Sequence, residues 1–245
     1  MKWIIAIALF LTPIPLIYSV TSATGAKDNE LTKDEKKDGW ILAFDGKTLD
    51  GWKAVDARNG KTFPSRRPVI DGTLNPHKSG GYMVYYDKRL GDFVASLDFK
   101  LGQPPGDSSC NSGIFLRTAS LKARPGKDVG YNGIEVALDS TTTNDYIDAG
   151  ALYDLSRPLR QMVRDIGEWN RVVITNHENL ITVTLNGELV TVCDLDEFPK
   201  MHRRPDGSEH KFDVVYKDHP RKGYFGVQDH GCDIYFKNIK LLPLD

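Results

Sequence analysis

The feature that most constrains this chain is a two-residue apolar period. Phe93, Ala95, Leu97, Phe99 and Leu101 fall on one side of an extended run, while Ser96, Asp98 and Lys100 fall on the other. That period is the pattern of a half-buried β-strand; an amphipathic helix would repeat every three to four residues. The pattern recurs at residues 180–192, where Ile181, Val183 and Leu185 alternate with threonines up to Asn186-Gly187, and 189–192 continue beyond it. Such a dipeptide between two strands is a hairpin turn. Further strands are expected at 40–44, 69–74, 82–86, 112–118, 133–139, 149–153, 171–176, 224–228 and 233–242. Only 194–201 and the stretch around 159–166 leave room for a short helix. The 22 glycines and 13 prolines are spread along the chain as turns would be. Many short strands with frequent turns read as an all-β sandwich or barrel, and 245 residues suit one such domain.

The N-terminus reads as a targeting segment. Lys2 precedes an apolar stretch over residues 4–18 that holds Pro13 and Pro15, and small and polar residues follow to Ala26. This is the order of a cleavable signal peptide, cut after Ala23 or Ala26. A retained anchor is the rival reading, but the run is short for a membrane span and holds two prolines. Residues 27–38 are highly charged, with Leu31 as their only large apolar side chain, and read as a solvated linker before a domain at 39–245. The mature protein is expected outside the cytoplasm, periplasmic or extracellular, and not inserted in a membrane. The 32 basic and 33 acidic residues of the full chain nearly cancel, which points away from nucleic acid and toward a small neutral substrate. Cys110, Cys193 and Cys232 form no even framework and no zinc spacing. They are either one bridge plus a free thiol, or three small buried side chains.

Alternation also says which polar residues share a face. If Ile114 and Leu116 point inward, then Gly113, Phe115 and Arg117 point outward. If Ile134, Val136 and Leu138 point inward, then Glu135, Ala137 and Asp139 point outward. Phe225 and Val227 inward leave Gln228 and His230 outward. One face could thus gather Arg117, Glu135, Asp139, Gln228 and His230, although period alone does not say which strands are neighbours. Plainer readings compete. Arg117 and Glu135 could form an exposed cross-strand pair, Asp139 could cap a turn, and His230 could be a surface histidine. Trp52 and Tyr153 stand beside turn residues, where rings could stack on a sugar or pack into the core.

Several strings together resemble the 3-keto-disaccharide hydrolase family: GWILAFDGKTLDGW at 39–52, then CNSGIFLRT, GIEVALDS, GALYDL, GEWNRVVIT, TVTLNGELV and GYFGVQDHGCDIYFKNIKLLPL. They stand in the family's order and span Gly39 to Leu244. The resemblance implies a concanavalin A-like two-sheet jelly roll with a saccharide on its concave sheet. It implies a substrate already oxidised at C3 of the sugar, hence a sugar 3-dehydrogenase acting upstream, and cleavage of the glycosidic bond by hydrolysis or by elimination and hydration.

That chemistry needs a base for the C2 proton and a stabiliser for the C3 oxyanion. Glu135 or His230 is the candidate base, and Arg117 and Gln228 are candidate stabilisers. Asp139 and Asp229 are candidates to bind hydroxyls or orient His230, with Tyr153 and Trp52 against the sugar. No cofactor is established; a divalent metal held by Glu, Asp and His stays open, because no ligand spacing fixes one. Two other functions compete. An ordinary glycosidase needs two flanking carboxylates, and Glu135 and Asp139 on one strand face are roughly 13 Å apart, too far for a retaining pair. A non-catalytic sugar-binding module would need neither.

Overall fold

The computed structural model of the chain describes residues 27–104, 106, 109–142 and 146–244. The expected signal peptide, residues 1–26, lies outside the described residues. A short helix, α1 (Lys33–Lys37), is followed by β1 (Ile41–Leu42), β2 (Trp52–Val55), β3 (Thr62–Phe63) and β4 (Met83–Leu90). Next come β5 (Phe93–Leu101), β6 (Asn111–Thr118), β7 (Ile134–Asp139) and β8 (Trp169–His177). The chain ends through β9 (Leu180–Leu185), β10 (Glu188–Asp194), β11 (Gly223–Gln228) and β12 (Ile234–Pro243). Two six-stranded antiparallel sheets result, in the orders β1-β12-β5-β8-β9-β10 and β3-β2-β4-β11-β6-β7. This is the all-β two-sheet jelly-roll sandwich. Among the described residues no helix is long and apolar enough to cross a membrane.

The core lies between the sheets. Leu97, Phe99, Ile174 and Val183 from the first meet Ile114, Val136, Phe225 and Val227 from the second, all fully buried. The hairpin between β9 and β10 turns at Asn186 (φ 54°) and Gly187 (φ 91°), and left-handed geometry at both positions is what an Asn-Gly turn supplies.

Several expectations need correction. The stretch 69–74 makes only isolated bridges, and 149–153 runs irregularly beside β7, held by Tyr153 N–H to Glu135 C=O at 2.9 Å. Trp52 is no sugar platform: it lies in β2, 4% exposed, its indole N–H donating to Ala43 C=O at 2.6 Å. Residues 27–38 are not a free linker. Asn29 and Asn238 exchange backbone-to-side-chain bonds of 2.6 and 2.8 Å, Asp28 pairs with Lys237 at 2.7 Å, and Glu35 pairs with Lys240 at 2.6 Å. Thr32 and Glu35 form a capping box on α1. Polar contacts dock this segment, so a search for apolar periodicity passes over it.

Arg117 is the largest correction. It has φ 48° at a bulge where the register between β6 and β11 shifts, so the alternation breaks there. Its fully buried guanidinium reaches the sandwich end, donating to Asp92 Oδ1 at 2.6 Å and Glu178 C=O at 2.7 Å. Asp92 begins the crossing from β4 to β5 and so from one sheet to the other, and Glu178 lies in the β8–β9 turn. Arg117 therefore staples the sheets.

Arg117→Met should leave Asp92 Oδ1 without its guanidinium, with Glu178 N–H still bonded to Oδ2, and lower stability by about 3 kcal/mol, a fall in thermal midpoint of roughly 6–12 °C for a domain of this size. An unchanged midpoint in a calorimetric scan would contradict the staple. A second expectation concerns the cysteines. Cys110 and Cys232 form a disulfide across 122 residues of chain, and Cys193 is free and buried. The double Cys110→Ser, Cys232→Ser variant should lose about 2–4 kcal/mol in urea titration. Burial pushes the Cys193 thiol up to about 12, so a thiol reagent should label one site per chain, and only after unfolding.

Candidate functional site

The outer face of the second sheet carries the site. Glu135 on β7 stands opposite Phe115 on β6, while Gly113 stands opposite Ala137. With Ile134 and Val136 committed to the core, Glu135 must point out. Gly113 makes room for it, since a Cβ there would overlap the Glu135 carboxylate. The carboxylate thus lies across bare backbone at the floor of an open cleft of about 640 Å³, a volume that includes the solvent at its mouth.

Tyr82, Asn111, Gln228 and His230 line the same cleft as Glu135. Gln228 is 4% exposed, and its Nε2 donates to the Tyr82 hydroxyl at 2.9 Å. Its Oε1 is buried without a partner. The opposite wall comes from loops: Asp128, Gly130 and Tyr131 around the short turn Val129–Asn132, then Tyr153, Lys211 and Phe212. Lys211 Nζ stands 4.1 Å from the Tyr153 ring centroid, 5.2 Å from that of Phe212 and 5.4 Å from that of Tyr131. One side of the cleft is a polar sheet floor and the other an aromatic wall bearing a cation.

The electrostatics single out Glu135. Its carboxyl is pushed up to about 8, chiefly by burial, with the negative charge of Asp128 adding to the shift and Lys211 opposing it. Among the described residues its oxygens have no hydrogen-bond donor, so the charged form gains little to offset its lost hydration. The Tyr82 phenol is raised as well, first by burial and then by Glu135 and Asp128. It therefore stays protonated at neutral pH.

Of the residues that the sequence nominated, the cleft gathers Glu135, Gln228, His230 and Tyr153. It does not gather Arg117 or Trp52. Asp139 is 1% exposed and committed to local bonds, accepting from Asn111 Nδ2 at 2.8 Å and from Thr141 N–H at 2.6 Å, which is the turn-capping alternative. Asp229 orients His77, not His230: its Oδ1 lies 3.0 Å from His77 Nδ1, and its Oδ2 accepts from Lys78 N–H at 3.0 Å. Among the described residues no group of three His, Cys, Asp or Glu side chains gathers as a metal-ligating set. Tyr82, Asn111, Asp128 and Lys211 were missed. Tyr82 reads in sequence as the first residue of a strand, and Lys211 sits in a loop that only tertiary folding brings to the cleft.

A wider hollow of about 810 Å³ opens on the other sheet beside Trp169 and Tyr235. Its two lysines are already engaged. Lys100 Nζ stands 5.0 Å from both ring centroids, and Lys237 pairs with Asp28. The cleft at Glu135 instead holds a carboxylate without a hydrogen-bond donor among the described residues and the unpartnered Gln228 Oε1.

Known proteins similar to this chain share its fold. A 3-keto-disaccharide hydrolase of Bacteroides thetaiotaomicron is 26% identical over 255 aligned positions, covering 91% of this chain and 85% of that protein. Two crystal structures from Parabacteroides distasonis, of proteins described provisionally as glycosyl hydrolases, superpose with a TM-score of 0.67 each. One is 26% identical and covers 89% of this chain and all of its own; the other is 25% identical and covers 84% and 99%. The model of the 3-keto-alpha-glucoside-1,2-lyase-like domain matches residues 39–242. With the sandwich intact over that span, the chain belongs to the family of 3-keto-alpha-glucoside-1,2-lyase-like domains.

Proposed function

We propose that this protein cleaves the glycosidic bond of 3-keto-glycosides, 3-keto-disaccharides among them, with Glu135 as the base that removes the C2 proton. The observation that carries this reading is one carboxylate, half-buried and without a hydrogen-bond donor, facing a saccharide-sized cleft. Family membership and the hydrolase of Bacteroides thetaiotaomicron support the substrate class.

A C3 ketone acidifies the neighbouring C2–H bond. Glu135 takes that proton, and the bonding pair moves into C2–C3 while the carbonyl pair moves onto O3. When the C3 carbonyl re-forms, the C2–C3 pair becomes C1=C2 and the C1–O bond breaks, its oxygen taking a proton from Glu135 or solvent. Water then adds at C1 and a proton returns to C2, so the net reaction is hydrolysis. Stopping before hydration would make the same protein a lyase. A carboxylate that ionises near 8 is a far stronger base than an ordinary glutamate, which suits removal of a carbon-bound proton. Lys211, above the aromatic wall, supplies positive potential on the side opposite the floor. His230 is exposed at the mouth of the cleft, placed to contact sugar hydroxyls. Gln228 Oε1 is the acceptor left for one of them.

The enzyme would follow a sugar 3-dehydrogenase that makes the ketone. We place the reaction outside the cytoplasm, as the N-terminal sequence suggests and as the disulfide supports. The first test compares products from a 3-keto-glucoside and its unoxidised parent. Release of the leaving group from the ketone alone is expected; equal rates on both would favour an ordinary glycosidase, and binding without turnover a carbohydrate-binding module.

Glu135→Gln should keep the fold and the substrate while slowing turnover roughly a hundredfold or more. In the wild type kcat/KM should rise with pH, reach half its maximum near 8 and level off above that, because only ionised Glu135 is a base, and this limb should vanish in the variant. Stability moves the other way. The folded pKa is raised above the ordinary glutamate value, so the folded protein binds more protons than the unfolded chain between about 4.5 and about 8. This group's contribution to stability is therefore lost as pH rises through that window. Denaturant midpoints for Glu135→Gln should gain on the wild type across the same range. Near-normal turnover in the variant would transfer the base role to His230.

A further inference from the structure

We propose that Tyr82 is a catalytic residue, its phenol O–H donating a hydrogen bond to the substrate's C3 oxygen while that oxygen carries the enolate charge. The role rests on the reaction proposed above. Three observations of geometry support it.

The phenol is fixed. Tyr82 precedes β4, its N–H donates to Val55 C=O at 2.8 Å, and its C=O accepts from Asp229 N–H at 2.8 Å. The ring packs against Phe115 with centroids 6.0 Å apart. Gly130 leaves the space that the hydroxyl occupies, since a Cβ there would lie 2.5 Å from the Tyr82 Oη. A donor held in this way needs no reorganisation when charge develops, the condition under which an oxyanion hole is most effective.

The proton is also available. Gln228 Nε2 donates to Tyr82 Oη, so one lone pair is occupied and the O–H is what the phenol has left to give. Asp128, which takes Gly130 N–H on Oδ1 at 2.9 Å, also hydrogen-bonds the phenol, and the substrate's O3 would replace it as the acceptor of that O–H. Burial and two neighbouring acids keep the phenol from ionising, so the donor persists across the pH range in which Glu135 titrates.

Finally, a neutral donor suits this base. C2–H and C3=O sit on adjacent carbons, so base and oxyanion donor must be neighbours, as Glu135 and Tyr82 are on one cleft floor. A guanidinium or ammonium touching O3 would also stabilise the Glu135 carboxylate and weaken it as a base. A phenol holds the enolate without that loss. When the C2–H pair shifts into C2–C3, the charge collecting on O3 meets Tyr82 O–H, and the proton stays with Glu135.

The test uses the full protein, a 3-keto-glucoside with an alkyl leaving group, its 4-nitrophenyl counterpart, and deuterated water. Tyr82→Phe is expected to lower kcat roughly a hundredfold for both leaving groups, with KM within about threefold. Deuterium incorporation at C2 should fall equally, since enolate formation is the step affected. A folded Tyr82→Phe enzyme within about threefold of wild-type kcat would overturn the role. So would a loss confined to the alkyl substrate, which would put the phenol on the leaving oxygen. If Tyr82→Phe does not fold, replacement by 3,5-difluorotyrosine keeps the shape and acidifies the phenol. Turnover should then change; an unchanged rate and pH profile would also overturn the role. Failure of the underlying reaction is visible separately, in wild-type protein that ignores the ketone or cleaves the parent equally well.

Discussion

Burial of one face of each sheet against the other is the constraint on which the site depends. Once Ile114, Ile134, Val136, Phe225 and Val227 are committed to the core, the pleat leaves Gly113, Phe115, Glu135, Gly226 and Gln228 to the outer face. A one-residue slip of β7 would turn Ile134 into the cleft and Glu135 into the apolar layer, at the cost of a buried carboxylate. Core and site are therefore specified by the same register. The outer face is then closed by a small second cluster, in which Phe115, Met83, Tyr85 and Val55 pack under Val129 and shield one flank of the cleft from water.

That shielding underlies the base role proposed for Glu135, and it carries a cost. Desolvation pushes the carboxyl up, Asp128 adds to the shift, and the exposed Lys211 across the gap offsets it only in part. Arg117 could have compensated, and its removal to the sandwich end matters for that reason. A guanidinium on the same face would have pulled Glu135 down and left an ordinary ion pair. The fold instead spends its buried arginine on holding two turns together. Reactivity and stability are thus opposed at Glu135 and allied at Arg117.

The fold was legible in the sequence wherever a strand kept its period for six residues or more, as β5, β7 and the β9–β10 hairpin do. It was illegible where one residue resets the period. Nothing in the string Phe115-Leu116-Arg117-Thr118 announces a left-handed arginine, and extrapolating the alternation put Arg117 on the wrong side. Trp52 misled for a different reason: an aromatic beside glycine looks the same whether it waits for a sugar or closes a core. The docking of 27–38 depends on charges and amides matched across more than two hundred residues, for instance Asn29 with Asn238, and local composition carries no trace of it. In the site, strand residues such as Glu135 and Gln228 could be read from period. The loop residues Asp128 and Lys211 could not, because their positions follow from packing between elements far apart in sequence.

The disulfide ties these levels together. Cys110 immediately precedes Asn111 on β6, and Cys232 follows His230 and Gly231, so the bridge joins the two segments that close one end of the cleft. Asp229 adds a second clamp by gripping His77 and Lys78 N–H, which fixes the turn just before His230. Neither clamp touches Glu135, whose position is set by register and by the bare backbone at Gly113. Reduction should therefore loosen the end of the cleft beside His230 while leaving the Glu135 carboxylate in place. Under the proposed reaction the covalent constraint would act on substrate fit and the sheet on proton transfer, and the two contributions would separate into KM and kcat.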